Sequence, residues 1–145
     1  MATVESVMTR DPMCCTPDEG VVDCARMMAR GDVGFLPVVE SRDTRRLVGV
    51  ITDRDLCLSV IAEGRSPDEC LVNDCMTDNV VTCAPGEPLE AALALMQSHQ
   101  IRRVVVVDER GSCVGVLAPA DIARNAIRSA PGEATETVAE IAKST

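Results

Sequence analysis

Gly49-Val50-Ile51-Thr52-Asp53-Arg54-Asp55-Leu56 is answered 66 residues later by Gly115-Val116-Leu117-Ala118-Pro119-Ala120-Asp121-Ile122. Each begins with glycine and two apolar residues, and each carries aspartate followed by an apolar residue at its end. Upstream the offset becomes 68. Val7-Met8-Thr9-Arg10-Asp11 recurs as Cys75-Met76-Thr77-Asp78-Asn79, Pro17 as Pro85, Met28 as Met96, Val33 as Ile101, and Val38-Val39-Glu40 as Val106-Val107-Asp108. One two-residue deletion in the turn around Ser41–Arg46 reconciles the offsets. Two copies are too few for a solenoid, so the chain is expected to be a pair related by a pseudo-twofold axis.

Each copy carries the same order of signals. Short extended segments at Met13–Thr16 and Val80–Cys83 lead into proline turns. An amphipathic helix follows from Gly20 to Ala29, with Val21, Val22, Ala25, Met28 and Ala29 on one face. Asp18 is its expected N-cap and Gly31 its stop. In the second copy Pro88 opens the helix, and Leu89, Ala92, Leu93 and Met96 form the stripe. Two hairpins come next, Phe35–Glu40 with Leu47–Thr52 and Arg103–Asp108 with Cys113–Leu117. Further helices are predicted over Asp53 to Ala62 and Pro119 to Ile127. The fold class is α/β (α+β), two β-α-β-β-α repeats. The repeats span 4–62 and 77–128. A linker helix over 63–76 starts at Ser66-Pro67-Asp68-Glu69, where proline and acids suit a first turn. The tail over 129–145 carries a predicted helix, Glu133 to Lys143.

Composition narrows the function. The formal net charge is −9, and Phe35 is the one aromatic residue. That argues against nucleic acid and anionic membranes, which attract basic surfaces, and against base stacking on an aromatic platform. The start of the chain shows no apolar leader and no apolar run reaches ~20 residues, so a cytoplasmic protein is expected. The eight cysteines then read as reduced and mostly buried, with no C-x-x-C spacing. With His99 the single histidine, no metal site is expected. There is no nucleophile elbow and no phosphate loop of Walker type, and Asp53 and Asp55 fall on different helix faces. No catalytic residue is assigned, and the chain is read as not an enzyme.

The opening Val-Met-Thr-Arg-Asp-Pro, the Pro37-Val38-Val39-Glu40 strand, and above all Gly49 to Leu56 resemble the CBS (cystathionine-β-synthase) domain family. The second copy matches in Ile101 to Asp108 and in Gly115-Val116-Leu117…Asp121. The resemblance covers roughly residues 4 to 128 and looks like the small stand-alone bacterial CBS pairs, the hypoxic-response type among them. It implies a non-catalytic regulatory (Bateman) module, often a homodimer. The implied ligand is an adenosyl compound: AMP, ADP, ATP or S-adenosylmethionine. A downstream protein partner is also implied, without identity.

The family pattern puts the threonine near phosphate and the aspartate on ribose hydroxyls, which assigns Thr52 and Asp55. The same Thr-x-x-Asp spacing is that of a helix capping box, and both readings stand. The resemblance adds Val50, Ile51 and Arg54 to this cleft. From the other repeat it adds Val81 and Thr82 for the base and Arg102 and Arg103 for phosphate. The arginines equally suit the negative end of the helix before them. The second cleft, with Met13, Gly34, Phe35, Ala118 and Asp121, is degraded: Ala118 replaces the threonine, and Gly34 and Phe35 replace the arginines. Either that cleft is empty or it takes an apolar or uncharged adenosyl group against Phe35 and Met13, and one phosphate-bearing ligand per chain is the expectation. The rival reading is a ligand-free protein-interaction or thiol-redox module, with Cys14, Cys15, Cys70 and Cys75 as candidate thiols.

Overall fold

Thr3 caps the first helix of the computed structural model, which describes residues 2–129. In chain order the elements are α1 (Val4–Val7), β1 (Thr9–Arg10), α2 (Val21–Gly31), β2 (Phe35–Val39), β3 (Leu47–Thr52) and α3 (Asp53–Leu56). A π-helical turn, Cys57–Ile61, prolongs α3. A 3-10 turn at Pro67–Glu69 then precedes α4 (Val72–Cys75), β4 (Thr82–Cys83), α5 (Leu89–His99), β5 (Val104–Val107), β6 (Cys113–Leu117) and α6 (Pro119–Ser129). The helix expected at Glu133 to Lys143 lies outside the described residues.

The chain folds into two units that do not coincide with the repeats counted along it. The first unit takes the chain up to Asp11, then Val81–Glu109, then the stretch from Val114 onward. The second takes Pro12–Val80 and Arg110–Cys113. The arm before each repeat therefore packs with the other repeat. In the first unit the sheet runs β1-β6-β5-β4, with Thr9 antiparallel to Val116 and Thr82 parallel to Val105. Its core gathers Val4, Val7, Met8, Leu89, Ala92, Met96, Val104, Val106, Leu117 and Ile122. In the second unit β2 and β3 form a hairpin with Phe35 opposite Thr52, and the register slips between Val38 and Val39. Cys15, Val21, Cys24, Met28, Leu36, Val38, Ile51, Val60 and Val72 fill that core.

The arms dock through the same backbone bonds in each unit. Val4 N–H donates to Glu87 O at 2.9 Å, and Val72 N–H donates to Glu19 O at 2.8 Å. Leu89 N–H donates to Ala2 O and Val21 N–H to Cys70 O, both at 3.0 Å. Each pair thus uses free N–H groups at the start of a long helix, which have no partner inside the helix itself. Met8 and Met76 close each arm's turn by donating to Val4 O and Val72 O.

These bonds explain where the structure departs from the sequence expectations. No single linker helix spans 63–76: Cys70 is extended (φ −105°, ψ 139°), because its carbonyl is held by α2 and the chain bridges Gly20 at Leu71. Tertiary hydrogen bonds outweigh local helix signals here. Gly20, not Asp18, is the N-cap of α2, and it gives no side-chain bond. The Asp18 carboxylate instead accepts from the Thr16 hydroxyl at 2.6 Å, which holds its pKa below the usual carboxylate range. The helix runs through Gly31 and stops at Asp32, in the left-handed region at φ 51°. Gln100 stops α5 in the same way, at φ 53°.

The repeated glycine of the deciding motif is needed for space. A Cβ on Gly49 would lie 2.7 Å from the Thr77 carbonyl oxygen, and one on Gly115 would lie 2.9 Å from that of Thr9 and against the Met8 sulfur. Neither glycine has positive φ, so the requirement is the crossing of the docked arm and not a special backbone conformation. Gly49→Ala and Gly115→Ala should each cost about 1–3 kcal/mol through overpacking. Gly86→Ala, where a Cβ meets nothing within 4 Å, should be near neutral. Urea unfolding midpoints of the three variants check this ranking.

Candidate functional site

β3 ends at Thr52, whose extended backbone (φ −120°, ψ 164°) turns the chain into α3. The Thr52 hydroxyl accepts from Asp55 N–H at 3.1 Å, and Asp55 Oδ2 accepts from Thr52 N–H at 2.9 Å. The capping box is therefore formed. It leaves Thr52 and Asp55 half-buried. Among the described residues the other Asp55 oxygen accepts no hydrogen bond. A carboxylate keeps about four lone-pair sites, so this one has acceptor capacity to spare.

The counterpart in the first unit is closed. Asp121 is 3% exposed. Its Oδ2 accepts from Ala118 N–H at 2.9 Å, and its Oδ1 accepts from the Thr9 hydroxyl at 2.7 Å. Arg124, one turn further along α6, forms an ion pair and hydrogen bond with the same Oδ1. The position one turn beyond Asp55 is Leu58, an exposed apolar residue. The same motif thus ends in one carboxylate with open acceptor sites and one consumed by the fold.

The remaining candidates divide as follows. Within the second unit, Arg54 is exposed in the first turn of α3, and its N–H donates to Asp53 Oδ1. Val50 exchanges both backbone bonds with Thr77, at 2.9 and 2.8 Å. Ile51 is wholly buried, so its side chain serves the core and does not line a cleft. Phe35 stands opposite Thr52, and Gly34 O accepts from Asp53 N–H at 2.9 Å. Gly34 and Phe35 therefore share a strand end with Thr52, although the sequence pattern places them in separate clefts. Met13 is exposed beside Gly31.

Within the first unit, Arg102 and Arg103 are exposed in the segment between α5 and β5. Val81 is half-buried just before β4, and Thr82 lies in β4. Thr82 also borders a concavity of about 540 Å³ that includes Glu87, Asp108 and Glu109. Three carboxylates make that hollow a poor place for phosphate. Ala118 caps the approach to Asp121 without a hydroxyl. Among the described residues no cluster of His, Cys, Asp and Glu could hold a metal ion, and no helix is long and apolar enough to cross a membrane.

The family model for the CBS domain matches twice, at residues 4–61 and 72–128, and the chain belongs to that family as a tandem pair. It is 36% identical over 125 residues to the CBS domain-containing protein YhcV of Bacillus subtilis, spanning 86% of each chain. It is 31% identical over 125 residues to hypoxic response protein 1 of Mycobacterium tuberculosis, spanning 86% of this chain and 85% of that one. Of an archaeal relative, the uncharacterized protein MK0525 of Methanopyrus kandleri, the chain spans 60%, at 32% identity over 120 residues and 83% of its own length. Complexes with adenosyl compounds are among the similar solved structures. CBSX2 of Arabidopsis thaliana, in complex with AMP, superposes with TM-score 0.76 at 27% identity, covering 88% of this chain and 98% of that one. The CBS pair of MJ0100, in complex with 5′-methylthioadenosine and S-adenosyl-L-methionine, gives 0.75 at 25%, covering 86% and 95%. Such a pair is a regulatory module in its family.

The two aspartates should separate in a stability measurement. Asp121→Ala leaves Thr9, Ala118 N–H and Arg124 without their acceptor, and should cost about 2–4 kcal/mol. Asp55→Ala removes half of an exposed-side cap and should cost about 0.5–2 kcal/mol. Chemical unfolding of both variants at neutral pH tests the order.

Proposed function

We propose that the chain is a non-catalytic regulatory module that binds one adenosyl ligand, an adenine nucleotide or S-adenosylmethionine, at Thr52 and Asp55. The observation that carries this reading is the half-buried Asp55 carboxylate with an oxygen left to accept from ribose hydroxyls. Thr52 and Asp55 stand together at the turn from β3 into α3, so one ligand could reach both. The AMP of CBSX2 and the two adenosyl compounds of MJ0100 support the ligand class. The family pattern, not the packing within either unit, assigns Arg102 and Arg103 to the phosphate of the same ligand and Val81 and Thr82 to its base. Asp121, already saturated by Thr9, Ala118 and Arg124, takes no ligand in this reading. A cytoplasmic setting belongs to the same proposal.

We also propose that the module works as a homodimer. α2 and the π turn of the second unit border an apolar groove of about 330 Å³ lined by Val21, Val22, Ala25, Leu56, Val60 and Ile61. Ile61 is 70% exposed and Leu58 49%. A second copy presenting the same patch would cover it isologously. Sedimentation of the unmodified chain should give a dimer at micromolar concentration, and Ile61→Glu should shift it to monomer. A monomeric unmodified chain would sink this part.

Isothermal calorimetry decides the ligand reading. Asp55→Ala should weaken AMP, ADP or ATP about tenfold or more, the worth of a lost charge-assisted bond. Asp121→Ala should leave affinity within about twofold wherever it remains folded. Arg103→Ala should weaken ATP and ADP but spare adenosine. Failure of the unmodified chain to bind any adenosyl compound would favour a ligand-free interaction module.

A further inference from the structure

Four of the cysteines are paired side by side in the second unit. Cys14 and Cys15 are neighbours in an extended segment, so their side chains point opposite ways. Cys15 turns into the core beside Cys24, its thiol donating to Pro37 O at 3.9 Å; both are wholly buried. Cys14 turns towards the Ser41–Arg46 turn, where its thiol donates to Pro12 O at 3.3 Å and stands beside Cys113, which precedes the crossing of the chain into the first unit.

The surroundings of the two pairs differ in charge. Arg45 sits at φ 54°, a left-handed conformation in which its carbonyl accepts from Cys113 N–H at 2.7 Å. Its Nε donates back to Cys113 O at 3.2 Å. Its guanidinium then donates to Pro12 O at 3.1 Å and to the Cys14 sulfur at 3.4 Å. One arginine thus grips the backbone of one cysteine and the sulfur of the other. Arg42 adds a second guanidinium, bonded to Cys14 O at 3.1 Å. Cys14 keeps 6% of its surface exposed and Cys113 1%. The Cys15–Cys24 pair has beside it the Glu19 carboxylate, which is ion-paired with Arg42 at 2.7 Å.

We propose that Cys14 and Cys113 are a hydroperoxide-reactive thiol pair, with Cys14 attacking as the thiolate and Cys113 closing a disulfide. The Cys14 sulfur attacks one peroxide oxygen and the O–O bond breaks. The departing oxygen takes a proton and leaves as water, or as an alcohol from an organic hydroperoxide, and Cys14 is left as a sulfenic acid. The Cys113 sulfur then attacks the Cys14 sulfur. The S–O bond breaks, and hydroxide leaves with the Cys113 proton as water. Two electrons pass from the two thiols to the peroxide, and two thiols plus hydrogen peroxide give one disulfide and two waters.

The electrostatics agree with the geometry. The hydrogen bond from Cys113 holds the Cys14 thiol below its ordinary pKa, with the Arg45 and Arg42 charges adding to it against the upward push of burial. Burial pushes Cys83 up to about 11, and it pushes Cys75 up as well, which makes both poor nucleophiles. The Cys15 thiol is raised by its interaction with Cys24 and by burial, and the same interaction lowers Cys24, which is wholly buried. This inference is independent of the adenosyl reading.

The test uses the full chain carrying Cys57→Ser, which removes the exposed thiol. Treated with equimolar hydrogen peroxide, then alkylated and digested without reductant, it should yield a peptide pair joined through Cys14 and Cys113. Fragmentation between Cys14 and Cys15 assigns the sulfur. Adding Cys113→Ser should abolish the joined peptides and leave Cys14 trapped by dimedone. Arg45→Gln should slow oxidation of Cys14 roughly tenfold, because it removes a charge that favours the thiolate. A disulfide joining any other pair overturns the proposal, and so does oxidation of Cys14 no faster than that of free cysteine. Both of those outcomes are read on a chain that retains all its paired thiols, so they do not depend on how the variants fold.

Discussion

The structure rests on a reciprocal backbone exchange. The helical arm before each repeat gives its N–H and C=O groups to the long helix of the other repeat, at Val4 with Glu87 and at Val72 with Glu19. Everything downstream inherits this arrangement. The arms add Val4, Val7 and Met8 to one core and Val72 and Cys75 to the other. They also cross the strands before Thr52 and Ala118 so closely that only glycine fits beneath them. The residue that follows each crossed methionine, Thr9 or Thr77, is thereby laid beside the strand that carries the candidate site.

That laying-down gives the two motifs their different chemistry. Thr9 and Thr77 occupy equivalent places, yet Thr9 is bonded through its hydroxyl to Asp121, with Arg124 completing the pair. On the other side an apolar Leu58 stands where Arg124 does, and Asp55 keeps the helix cap as its only bond among the described residues. A buried carboxylate that is fully hydrogen-bonded is a structural part, since a ligand would have to break bonds to use it. A half-buried one with spare lone pairs is available. Ala118 in place of Thr52 and Arg124 in place of Leu58 are the differences that accompany a saturated carboxylate in one copy and an open one in the other.

The repeat and its hairpins were legible because they rest on order and period. The spacing of Gly49 and Asp55, the unbroken valine run Val104–Val107 and the apolar stripe of α5 are local facts of the chain. The arm exchange was not legible, because nothing in residues 2–11 says which repeat they cover. Ser66-Pro67-Asp68-Glu69 reads locally as a helix start, yet the bond from Val21 N–H to Cys70 O ends it after one 3-10 turn. Ile51 read as lining by family pattern, but alternation turns its side chain inward. The Thr52–Asp55 cap was readable from spacing, whereas the saturation of Asp121 depends on Thr9, 112 residues away. The Cys14–Cys113 juxtaposition is hidden for the same reason: it arises only after the hairpin turn has brought Arg45 against both residues.

The exchanged arms also bear on how such a chain could have arisen and how it folds. A polypeptide with a single repeat would carry its arm while lacking the face that arm covers, and would have to borrow one from another molecule. Joining two repeats end to end converts that encounter between molecules into one within a chain, where a short tether holds the partner at an effective concentration of about millimolar. Assembly then no longer depends on how much protein the cell makes. The cost is kinetic: the first arm, at Val4–Val7, must wait for α5 to emerge before its core can close, so a segment synthesised ahead of both long helices is among the last to find its place.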